Sequence, residues 1–221
     1  MDPDGARRAC GPAAARTERR LLRSLAVSTP ARYLLLGQIG FAVFLALCAI
    51  IDPTGLQAVH GWSYFVDHNQ TLVPYVLAFA TFIALTLRAA RLLDDSSAPG
   101  FATGLRCLTV FLVLDVATPD TVNAFFYWAH DATSALLFLY ELGFSVWIVV
   151  TLGPRRLGGA LLVTQLIGGL VAMFSQLHVI PVLGLGILVF QLSFGLLLVI
   201  AAAPVQVFTP GLETAHAPAN R

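Results

Sequence analysis

Six long apolar runs divide the chain, at 33–51, 72–92, 103–117, 129–151, 157–177 and 182–203. A helix needs about 20 mostly apolar residues to cross the hydrocarbon core of a bilayer. All six runs approach that length, the third being the shortest because Asp115 interrupts it. Prolines punctuate the pattern as helix breakers should. Pro74 falls in the first turn of the second run, where a missing N–H costs little. Pro119, Pro154, Pro181 and Pro204 lie in or beside the breaks between or after runs. The pattern predicts an all-α polytopic membrane protein of six transmembrane helices, arranged as three hairpins over 32–203.

The two ends read differently. Residues 1–31 are rich in arginine and alanine and lack a long apolar run, so they predict a disordered cytoplasmic tail. The stretch LLRSLAVSTP is too short, and too broken by Arg23, for the apolar core of a secretory signal. Residues 204–221 predict a second disordered tail, also cytoplasmic.

Charge orients these spans. All 13 basic residues are arginine. They precede the first run, close the second, open the third, separate the fourth from the fifth, and end the chain. With six spans and an internal N-terminus, every arginine lies on the cytoplasmic side, as membrane insertion favours. Cell-membrane localisation follows, with both termini inside.

Composition agrees and excludes other classes. The chain is 57% hydrophobic and 11% charged, against about a quarter charged in a soluble domain. No basic patch is interleaved with aromatics, so no nucleic-acid partner is expected. The surrounding lipid bilayer is the implied partner, with a second membrane protein as a further candidate. Cys48 and Cys107 fall near opposite faces of the bilayer and cannot bridge, and with Cys10 they show no metal-type spacing.

The face opposite the arginines carries the chemistry. His68, His130 and His178 fall near the three outward bends, with Asp67 and Asp131 beside the first two, Asp120 near the second, and Asp115 deeper. Neutral imidazole is the commonest metal ligand and carboxylates can complete its shell. One reading is therefore a divalent metal site built from His68, His130, His178, Asp67 and Asp131; two of the histidines holding a haem is a variant of it. The other reading makes them polar interface residues, with Asn69, Thr71, Asp131 and Thr133 as helix N-caps. No HExxH spacing supports the metal, and no cofactor is required.

Glu141 stands apart. It lies eleven residues after His130, close to three helical turns, so His130, Ser134 and Glu141 share a face with Asp131 rotated by about 100°. Glu141 is then about 16 Å below His130, near the bilayer midplane. Its expected partners are Gln165 and Gln191 on the last two spans. A hydrogen bond that fixes the bundle is one reading; a protonatable group on a transport path is the other. Ala42 with Ala46, Ala80 with Ala84, and Gly168 with Ala172 make small-residue pairs, and further glycines predict tight packing of the fifth and sixth helices.

In layout the chain resembles the small six-helix integral membrane proteins common in actinobacterial genomes, and in span count the Frag1/DRAM/Sfk1 type. The resemblance covers 33–203 as architecture and carries no motif, so no functional residue is transferred from it. Three functions remain as expectations. The leading one is a non-catalytic accessory, regulatory or lipid-organising protein with a polar His/Asp outer face. The alternatives are an outer-leaflet metal-dependent hydrolase or transferase acting on lipid, and a proton-coupled carrier using Glu141.

Overall fold

The computed structural model describes residues 28–56, 61–94, 96–119, 123–152, 155–177, 179–180 and 182–205. Within them lie six long helices: α1 (Thr29–Ile51), α2 (Asn69–Leu93), α3 (Pro99–Ala117), α4 (Ala124–Thr151), α5 (Arg155–Gln176) and α6 (Leu183–Ala202). All six are long and apolar enough to cross a membrane. Two short 3-10 segments, Pro53–Leu56 and Gly61–Val66, join α1 to α2. Of the expected tails 1–31 and 204–221, residues 1–27 and 206–221 lie outside the described residues, whereas α1 already begins at Thr29, with Ala31 buried, and Val205 is buried.

Local chemistry explains several helix ends. Ser28 caps α1, its hydroxyl accepting from the Ala31 amide and donating to the Ala202 carbonyl at 2.7 Å, which ties the start of α1 to the end of α6. Pro99 stands in the first turn of α3, where its fixed φ suits a helix start. Asn123 caps α4 by accepting from the Phe126 amide at 3.1 Å.

That last cap corrects the sequence reading. The aromatic stretch before Ala129 is helical, so α4 begins five residues earlier than expected at Ala124. Asp131 and Thr133 are consequently interior to the helix and cap nothing. At α2 the capping position belongs to His68, whose side chain makes no capping bond to the helix. The Thr71 hydroxyl instead donates to the Phe65 carbonyl at 2.7 Å.

Contacts along neighbouring helices run in opposite sequence order. Cys48 meets Thr71, and Gly37 and Gly40 pack on Phe82 and Thr81, so α1 and α2 lie antiparallel. On α3 and α4, Gly100 packs against Trp147, the Tyr140 hydroxyl donates to the Gly104 carbonyl at 2.6 Å, and Asp115 meets Ser134. Gly168 abuts Phe190 while Ala172 abuts Gly186, which closes α5 onto α6. The start of α1, the end of α2, the start of α3 and the end of α4 therefore share one end with the start of α5 and the end of α6.

Small residues decide how near the helices come. A Cβ on Gly186 would lie 2.5 Å from the Ala172 nitrogen, and one on Gly168 would lie 2.6 Å from the Phe190 nitrogen. The expected tight fit of the last two helices is present. The pair Ala80 and Ala84 is different: both are exposed, and the α1–α2 seam uses Gly37 and Gly40 instead. Ala42 and Ala46 line a side cavity of about 360 Å³ between α1 and α6.

Candidate functional site

The end of the bundle away from the arginines holds a polar junction between α3 and α4. Asp115 sits in the last turn of α3 and is buried. Ser134, from the third turn of α4, donates its hydroxyl to Asp115 Oδ1 at 2.5 Å. One turn back, His130 Nδ1 lies 3.3 Å from the Asp115 carbonyl oxygen and 4.0 Å from Oδ1. The Thr118 and Thr133 hydroxyls meet at 3.1 Å beside it. A carboxylate in an apolar bundle needs donors to replace its lost water, and the i, i+4 spacing of His130 and Ser134 brings both to one acid.

This convergence was only half legible. The shared face of His130 and Ser134 follows from helical periodicity. Its meeting with Asp115 depends on the register of α3 against α4. Counting residues outward from the two ends of that turn would have paired them, since Asp115 precedes and Ser134 follows it within the same hairpin.

The other predicted ligands do not join. His68 points its Nδ1 at the Tyr64 carbonyl, 2.8 Å away, and its ring stacks on Tyr64 at 4.1 Å between centroids. Tyr64 in turn donates to Asp52, so His68 belongs to the α1–α2 connection. His178 and Asp120 lie outside the described residues. Among the described residues, no three His, Cys, Asp or Glu side chains gather closely enough to hold a metal ion. Asp67 is the residue before His68 in that connection, and its carboxylate does not complete such a group.

His130, Asp131 and Ser134 instead face a central cavity of about 720 Å³ to which all six helices contribute. That size suits a small-molecule ligand. Its walls are mostly apolar and aromatic, including Phe41, Trp62, Tyr75, Phe79 and Phe138. The polar groups are concentrated toward the Asp115 end, and Gln191 stands deeper. Leu139 on α4 and Leu166, Leu170 and Met173 on α5 line the cavity and remain exposed.

Below the polar junction lies Glu141, fully buried as expected. The Gln191 amide donates to its Oε2 at 2.8 Å, so the expected contact with α6 is made. The contact expected from Gln165 is not. Gln165 is fully buried, yet neither atom of its amide has a hydrogen-bond partner. Glu141 Oε1 and the Ser145 hydroxyl also lack one. The depth of these groups was readable from span positions, but their rotational facing was not.

Six helices around a cavity with one polar end define the class: an all-α bundle whose helices are each long and apolar enough to cross a membrane. No known protein family, no curated protein and no solved structure matches the chain. The functional reading therefore rests on this geometry.

Proposed function

We propose that this chain is a multi-pass protein of the cell membrane that holds a lipid-like molecule in its central cavity without transforming it. Its helices form three membrane-crossing hairpins with both termini in the cytoplasm. Two features support the placement. Only 22% to 50% of each apolar stretch is buried inside the bundle, so large side chains such as Ile50, Leu139 and Val150 need hydrocarbon around them. Arg32, Arg88, Arg91, Arg106 and Arg156 all fall in the half of the bundle that holds Ser28 and Ala202, which is the cytoplasmic side by the charge rule.

The observation that carries the binding role is the cavity itself. It is mostly apolar and large enough for an alkyl chain. A lipid tail entering between α4 and α5 would exchange one apolar environment for another, while its head would reach Asp115, His130 and Asp131. The metal-dependent hydrolase reading is less well supported, because among the described residues no three His, Cys, Asp or Glu side chains gather closely enough to hold an ion.

Native mass spectrometry of the purified protein tests this reading. The wild type should carry a lipid-sized adduct. Ala135→Trp, which places an indole in the cavity wall, should lose it while melting at an unchanged temperature. An adduct retained by the variant, or none on the wild type after incubation with lipid, would overturn the proposal.

A further inference from the structure

We propose that the molecule held in this cavity carries a positively charged nitrogen, a quaternary ammonium or a protonated amine, at the head of an apolar tail. The inference rests on the lipid-like reading of the cavity and specifies its ligand.

Charge complementarity is the first argument. Asp115 and Asp131 both line the cavity, and among the described residues no arginine does. The described arginines stand in the other half of the bundle, leaving His130 as the cavity's sole basic side chain among described residues. Asp115 is buried and Asp131 half-buried, and a carboxylate drawn from water at the edge of an apolar space is costly unless a positive charge or donors accompany it. Ser134 donates to Asp115 Oδ1, and His130 Nδ1 stands 4.0 Å from the same oxygen. A ligand cation would supply the remaining compensation.

The walls make the second argument. Phe41 packs edge-on against Trp62 with centroids 5.7 Å apart and against Phe79 at 5.1 Å, and Tyr75 lies 4.9 Å from Phe79. All four rings line the cavity. Aromatic faces attract cations through their quadrupole, and quaternary ammonium groups are the ligands that such clusters recognise. The same rings accept an alkyl tail, so one surface serves both parts of the molecule.

These two features also select against a phospholipid. A phosphate would enter beside two carboxylates with no arginine to receive it, and like charges at close range are repelled. The ligand is a cationic amphiphile without an anionic group.

The test uses the full chain in phosphatidylcholine nanodiscs and three chain-matched probes: dodecyltrimethylammonium, dodecyl sulfate and dodecanol, with empty nanodiscs subtracted. The cation should bind saturably and about tenfold tighter than either other probe, in keeping with an ammonium held by aromatic faces and a carboxylate. Asp131→Asn should remove most of that preference, and Asp131→Glu, which keeps the charge, should restore it. Equal binding of all three probes, each blocked by Ala135→Trp, would sink the charge assignment and leave the cavity reading standing. Absence of saturable binding by every probe would remove both.

Discussion

The Gln191 amide on α6 donates to the Glu141 carboxyl on α4 across 2.8 Å, at a point where Glu141 has no solvent exposure. The same contact joins two features, because Gln191 also lines the central cavity. Glu141 Oε1 has no hydrogen-bond partner, so the Gln191 bond is what satisfies this acid within the protein. Leaving a buried polar group unsatisfied costs about 1–3 kcal/mol, and removing Gln191 would leave two such oxygens.

A double-mutant cycle follows from this pair. Glu141→Leu, Gln191→Leu and the double variant, unfolded in mixed micelles by rising denaturant, should give a coupling energy of about 0.5–2 kcal/mol. Gln191→Leu alone should destabilise more than Glu141→Gln, which keeps an acceptor and leaves no stranded carboxyl. A coupling of zero would mean that the two side chains do not interact.

The seam between α5 and α6 makes a second, sterically based prediction. Gly186→Ala brings a methyl group onto the backbone of Ala172, where nothing flexible can give way. Overpacking of this kind costs about 1–3 kcal/mol. Gly143 has nothing within 4 Å of its would-be Cβ, and Gly143→Ala should be neutral or stabilising by up to about 1 kcal/mol through helix propensity. Thermal melts of the two variants should move in opposite directions, or only the first should move.

The α1–α2 connection carries a pH dependence. Hydrogen bonding from the Thr54 hydroxyl, partly offset by desolvation and helped by the Tyr64 hydroxyl, holds the Asp52 carboxyl below its ordinary value. A carboxyl depressed in the folded state adds stability that is complete above its ordinary pKa. That contribution is lost as pH falls through the lower folded value. A carbon-detected NMR titration should place the Asp52 midpoint below the ordinary aspartate value of about 3.9. Tyr64→Phe should move it upward. A wild-type midpoint at or above the ordinary value would refute the assignment.

Orientation can be read by labelling. In a variant lacking Cys10, Cys48 and Cys107, Leu56→Cys stands in the exposed connection after α1, and Ser97→Cys in the exposed connection before α3. A membrane-impermeant maleimide applied to intact cells should modify the first and spare the second. The reverse pattern would invert the topology and place the cavity's polar end in the cytoplasm.

By itself the sequence determined the number of long helices, most of their limits and where along each helix its polar residues stand. Those properties are local: apolar run length, proline position and residue count along a helix of known rise. The tertiary structure decided which face met which neighbour. His68 was drawn to the Tyr64 carbonyl, Gln191 reached Glu141 while the Gln165 amide found no hydrogen-bond partner, and Gly37 and Gly40 of α1 pack on Phe82 and Thr81 of α2 while the small pair Ala80 and Ala84 stays exposed. Helix rotation fixes such meetings, and rotation is weakly encoded where nearly every face is apolar, because burial then favours no one side. The cavity arises for the same reason, as a space between six helices that no single segment could announce.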